Sequence, residues 1–163
     1  MPKRKLILLL ILFIIAGGAI FLIGTKPLKE KNVPPEEKII QKEYLPSKRA
    51  ETFYITGKQK FPKFFKEIII DPSINVKEGE EQFLLIWVED PQGVKKVTAK
   101  IFPAEREELI ELKLIEGTKE KGKWMGSWIT KDISAGGIYR LVFEATNKED
   151  KTNQLTFFWL NRE

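Results

Sequence analysis

The chain has no cysteine and no histidine among its 163 residues. Without cysteine there are no disulfides, no thiolate nucleophile and no Cys-based zinc site. Without histidine there is no imidazole acid–base catalysis and no Ser-His-Asp triad. The one long hydrophobic run is N-terminal, and no EF-hand spacing, phosphate-loop pattern or internal repeat occurs anywhere. Apolar residues nevertheless make up 42% of the chain and charged residues 31%, a composition that buries a core and excludes wholesale disorder.

The net charge of +5 is unevenly placed. Residues 1–25 carry +3, residues 26–66 carry +6 and residues 67–163 carry −4. A nucleic-acid-binding domain concentrates positive charge on its folded surface. Here the foldable part is acidic, so no nucleic-acid partner is expected.

Leu6 to Ile23 is an uninterrupted stretch of eighteen residues without a charge. A helix of that length reaches about 27 Å, close to the hydrocarbon thickness of a bilayer. Lys3, Arg4 and Lys5 precede it and favour a cytoplasmic N-terminus, which sends everything from residue 26 outward. A cleaved signal peptide is the competing reading, with Gly17 and Ala19 as the small residues before a cut. Ile20 to Ile23 continue the apolar run past that cut and favour an uncleaved anchor. The expected organisation is a cytoplasmic tail (1–5), a transmembrane signal-anchor helix (6–25), a Pro/Lys-rich stalk (26–66) and a folded domain (67–163). Phe53, Tyr54, Phe61, Phe64 and Phe65 are too apolar for a solvated spacer, so the end of the stalk is expected to pack on that domain.

From Glu67 onward, short β-rich runs alternate with turn residues. The pattern predicts seven strands: Glu67–Asp71, Gln82–Glu89, Val94–Phe102, Glu108–Ile115, Trp124–Thr130, Ile138–Thr146 and Thr152–Leu160. Asp90-Pro91-Gln92-Gly93 fits a tight turn, because proline pre-sets φ at its second position. Regular short strands without a convincing helix give an all-β, two-sheet sandwich.

The series Asp71-Pro72, Glu78-Gly79-Glu80, Asp90-Pro91-Gln92-Gly93-Val94, Gly122-x-Trp124-x-Gly126-x-Trp128 and Gly137-x-Tyr139-x-Leu141 resembles the immunoglobulin-like modules of prokaryotic membrane-anchored surface proteins. The resemblance spans roughly residues 67 to 160. It implies a spacer or adhesive module and makes Tyr139 a corner tyrosine whose hydroxyl bonds upstream backbone. Leu141 stands where an antibody domain has its second cysteine, Ala135 replaces a frequent aspartate, and Val94–Phe102 has no tryptophan.

Trp124 and Trp128 share one face of a strand with Gly126 between them. Exposed, they would form a sugar-stacking platform; turned inward, they would fill a core. Phe83, Leu85 and Trp87 oppose Leu84, Ile86 and Val88, and Phe157 and Trp159 oppose Phe158 and Leu160. Strands apolar on both faces require a second cover, either the Phe53–Phe65 segment or a partner protein. The candidate interaction surface is therefore Trp87, Trp124, Trp128, Phe158 and Trp159. Acidic residues at Glu78, Glu80, Glu81, Glu89 and Asp90 read as solvated turns rather than a calcium site.

The expectation is a non-catalytic surface module, anchored in the cell membrane with its C-terminal domain extracytoplasmic, that engages a protein partner. The alternative is a carbohydrate- or cell-wall-binding module in which exposed aromatics hold a polysaccharide. No catalytic residue, metal or cofactor is assigned.

Overall fold

The computed structural model describes residues 44–104 and 106–163. The expected membrane span and the first part of the stalk lie outside them. The described chain is all-β, with eight strands: β1 (Glu51–Tyr54), β2 (Lys63–Asp71), β3 (Glu81–Glu89), β4 (Val94–Phe102), β5 (Glu108–Gly117), β6 (Lys121–Ile129), β7 (Ile138–Asn147) and β8 (Thr152–Leu160). They form one antiparallel sheet in the order β1-β2-β3-β6-β5-β4-β7-β8. Seven of these match the strands expected from the sequence. The eighth, β1, lies within residues expected as stalk, and β2 begins at Lys63, four residues before the expected start.

The sheet curls at β5. Its first half, Glu108–Leu112, pairs with β4, whereas Lys113–Gly117 pairs with β6. One strand thus serves both halves of the sheet, and a register shift between Leu114 and Glu116 helps it turn. The halves close on a sandwich-like interior. β2 and β3 contribute Phe64, Ile68, Ile70, Leu84, Ile86 and Val88, and β4 and β7 contribute Val97, Ala99, Ile101, Leu141, Phe143 and Ala145.

Beyond the ends of β2 and β8 the two halves are joined across a polar seam. The Asn161 side-chain amide accepts from Val76 N–H and donates to Val76 C=O, both at 2.9 Å, which reproduces a rung of β-ladder where no strand exists. Ile74 and Arg162 add a parallel bridge. Phe53 of β1 meets Phe157 of β8 with ring centroids 4.7 Å apart. These contacts explain why β1 eludes a pattern search. Glu51-Thr52-Phe53-Tyr54 offers one inward aromatic, and its order comes from partners that are remote in sequence.

β3 is apolar on both faces, and each face is covered. Leu85 is fully buried on the outer side, in a row with Ile69 and Met125 of the flanking strands. Tyr44 packs on Phe83 at 5.9 Å, and Phe65 packs on Trp87 at 5.8 Å. The cover comes from within the chain. Phe53 and Phe64 turn inward, while Phe65 and the more distant Tyr44 lie outside.

Asp71 clasps that cover. Its buried carboxylate accepts from the Tyr44 hydroxyl and from both the hydroxyl and the backbone N–H of Ser47. Burial pulls its pKa upward, but the Ser47 and Tyr44 hydrogen bonds, with nearby Arg49, outweigh that and hold it below the usual carboxylate value. Burial and the Asp71 charge in turn push the Tyr44 hydroxyl well above the ordinary phenol range. The folded-state pKa of Asp71 thus lies below the unfolded value of about 3.9. The resulting stabilisation is complete above that value and is lost as pH falls through the lower folded one. Asp71→Asn should weaken the clasp by about 2 kcal/mol, the worth of hydrogen bonds to a charged group. Limited trypsin digestion checks this. Cleavage after Lys48 and Arg49 should accelerate in the variant while cleavage after Lys96 and Lys100 inside β4 does not.

Candidate functional site

The four tryptophans do not form a platform. Trp124 and Trp128 face the interior of β6, and Trp159 is wholly buried in β8. The Trp128 indole donates to Gln82 Oε1 at 2.8 Å, and Gln82 Nε2 donates to the Pro72 carbonyl at 2.7 Å. The Trp159 indole donates to the Ser73 carbonyl at 3.0 Å and to its Oγ at 2.9 Å, and its ring lies 5.2 Å from that of Tyr139. Ser73 Oγ donates onward to Glu51, which pairs with Arg162. The Tyr139 hydroxyl accepts from Ser134 N–H, five residues upstream.

Trp87 is half-buried, and its outer face is roofed. The Lys66 ammonium sits 4.3 Å from the ring centroid and that of Lys123 sits 6.0 Å away. The indole nitrogens of Trp87 and Trp124 are buried, with no hydrogen-bond partner among the described residues. Of the five candidate residues, only Phe158 presents most of its side chain to solvent, at 63% exposure.

Phe158 belongs to a group that the sequence reading did not assemble. β7 and β8 pair Ile138 with Leu160 and Arg140 with Phe158. Ile138 is 69% exposed and Leu160 42%, on the same outer face as Phe158. Arg140 pairs with Phe102 on its other side, its guanidinium 4.0 Å from that ring. The outer face therefore carries an apolar cluster beside a cation–π pair that holds Arg140 flat. The signal in the sequence was Ile138, an aliphatic residue on the polar side of a period-two strand. Only the register shows that Leu160 stands opposite it.

A surface cavity of about 310 Å3 lies between the Asp90–Gly93 turn and the Asn147–Lys151 turn. Its polar groups are engaged with one another. Asp90 accepts from Gln92 N–H at 2.8 Å and from Asn147 Nδ2 at 3.1 Å, while Asn147 Oδ1 accepts from the Glu149 and Lys151 N–H groups. The hydrogen bond to Glu149 holds the Lys151 pKa above the ordinary lysine value. Both oxygens of Asp90 are thus engaged, and Lys151 is paired with Glu149 at 2.8 Å. Elsewhere Glu80 pairs with Arg49 at 3.2 Å, and Glu89 lies 3.2 Å from Lys63 and 3.9 Å from Lys121.

No protein-family model matches the chain, and no curated protein matches it. Among solved structures the chain is similar to the crystal structure of the Br derivative of BhCBM56, with a TM-score of 0.38 and 12% sequence identity, over 63% of this chain and 97% of that one.

Proposed function

We propose that this chain is a membrane-anchored surface module of the immunoglobulin-like kind that acts without catalysis, by holding a protein on the outer face of β7 and β8. The observation that carries the reading is the division of the aromatics. Three indoles are buried and the fourth is roofed by lysine. The exposed aromatics Tyr54, Phe61 and Phe158 are scattered over β1, the segment before β2 and β8, whereas Ile138, Phe158 and Leu160 gather on one face of paired strands. Sugar recognition by stacking needs an open aromatic face, whereas two aliphatic side chains around one phenyl ring suit the apolar centre of a protein contact. The immunoglobulin-like assignment is supported by the Tyr139–Ser134 hydrogen bond and by a strand, β5, that serves both halves of the sheet. The anchor rests on Leu6 to Ile23 and the three basic residues before it.

The test places a photo-crosslinking amino acid at position 158 of the full chain in its own membrane. The expected product is a protein adduct, and Ile138→Ser should reduce its yield. Phe158→Ala should weaken binding of the captured protein by about 30-fold, the size of one buried hot spot. It should leave folding within about 0.5 kcal/mol, because the side chain is on the surface. A soluble polysaccharide that shifts tryptophan emission, with the shift abolished by Phe158→Ala, would establish the carbohydrate reading instead.

A further inference from the structure

We propose that β8 pairs edge to edge, in antiparallel sense, with β8 of a second copy of this chain. This deepens the protein-contact reading and rests on it, naming the partner as another copy.

The hydrogen-bonding parity of β8 is fixed at both of its ends. Asn147 N–H donates to the Lys151 carbonyl at 3.0 Å, and Asn161 N–H donates to the Gly137 carbonyl, also at 3.0 Å. The register between these points is unbroken, so odd-numbered residues bond β7 and even-numbered residues direct their backbone groups away from it. The Thr146 and Thr152 hydroxyls, 3.0 Å apart, mark the non-hydrogen-bonded pair that this alternation requires. β8 ends the strand order, so the N–H and C=O groups of Thr156, Phe158 and Leu160 face outward with no neighbouring strand among the described residues. The same outward set takes a partner just beyond β8, where the Arg162 carbonyl accepts from Asn75 N–H. The edge is competent for pairing.

Natural sheets protect such edges with lysine, proline, bulges or short strands. β1, the opposite edge, is four residues long. β8 has none of these protections: it is nine residues, Thr-Asn-Gln-Leu-Thr-Phe-Phe-Trp-Leu, without a charge or a proline. A partner strand of fixed charge would find nothing on it to complement, whereas a second copy meets no like charge.

The outer face selects the antiparallel sense. One cross-strand row runs Phe102, Arg140, Phe158, and another runs Thr98, Glu144, Gln154. A two-fold axis at Thr156 sets Phe158 opposite Gln154 of the second copy. The Arg140 row then continues into the Glu144 row, opposite signs in line. Parallel pairing would instead align Arg140 with Arg140. Two-fold pairing is self-complementary, as a closed dimer requires.

The absence of native cysteine makes the test clean. Thr156→Cys is introduced into the full chain in detergent and oxidised, with Leu109→Cys, exposed on β5, as the collision control. The pairing expects disulfide-linked dimer to form from position 156 at least about ten-fold faster than from 109, because the axis holds the two thiols at high effective concentration. Thr156→Pro removes an N–H that bonds nothing among the described residues, so the fold and its melting should persist while the dimer is lost in light scattering. Equal crosslinking rates at 156 and 109, or a dimer undiminished by Thr156→Pro, overturn the proposal. So does a monomeric chain whose position 158 crosslinks to a different protein, a result that leaves the protein-contact reading standing.

Discussion

Trp159→Ala should destabilise the domain by about 4 kcal/mol, in the range of large-to-small substitutions at fully buried aromatic sites. The ring is wholly buried, stacks near Tyr139 and ties the last strand to the Pro72-Ser73 turn after β2. Its loss opens a cavity and leaves the Ser73 carbonyl without that donor. It also loosens Ser73 Oγ, which bonds both the indole and Glu51. Trp159→Phe separates the two contributions. About two thirds of the ring atoms stay while the N–H goes with the rest of the five-membered ring, so the expected loss is about 2 kcal/mol, dominated by the unsatisfied buried acceptor. Urea unfolding followed by circular dichroism checks both values. If the two variants cost the same, volume is irrelevant and the account of the seam fails.

That expectation bears on what the sequence disclosed. Seven strands were legible because their apolar residues recur with period two between strong turn formers. Asp90-Pro91-Gln92-Gly93 behaves as expected, with Gly93 N–H donating to the Asp90 carbonyl at 2.9 Å and φ at Gly93 of +85°. Tyr139 was legible for a similar reason, because its hydroxyl closes on a segment only five residues away. What escaped depends on distant pairing. β1 exists because Ile68, Ile69 and Ile70 offer it a ladder and Phe157 offers Phe53 a neighbour. The change of partner within β5 leaves little mark, since both halves of that strand alternate alike.

The candidate surface was harder to read than the fold, for a physical reason. Trp124, Trp128 and Trp159 are the largest apolar side chains available, so they attract notice as binding groups, and the same size makes burial most favourable for them. Phe158 alone of the five stands open, and its significance comes from Ile138, Arg140 and Leu160 around it. Those residues lie on a different strand or beyond an intervening position, and only register joins them. A strand apolar on both faces signals a second cover, but the sequence is silent on which element supplies it. In β3 the cover is Tyr44 and Phe65; in β8 the outer face has no such cover among the described residues.

Gly126→Ala should destabilise the domain by about 3 kcal/mol, the upper part of the overpacking range. At an ordinary strand position the same change would stabilise by about 0.5 kcal/mol or more, because glycine loses more backbone freedom on folding. The sign reverses here because a β-carbon at 126 would stand 2.8 Å from Ile110 Cγ2 and 2.9 Å from the Glu111 carbonyl oxygen. Position 126 faces inward between Trp124 and Trp128, at the point where β5 changes partners and brings Ile110 and Leu112 against β6. Glycine leaves room for those side chains between the two indoles. A sugar-binding face would need no such space, since its outer side would meet solvent. Ile110→Leu moves the branch away from the β-carbon and relieves the side-chain contact but not the backbone one. Partial rescue is therefore expected, with a coupling of about 1 kcal/mol in the double-mutant cycle. Additive effects would mean that a β-carbon at 126 does not meet the Ile110 side chain, and would leave the Glu111 carbonyl as the whole source of the cost.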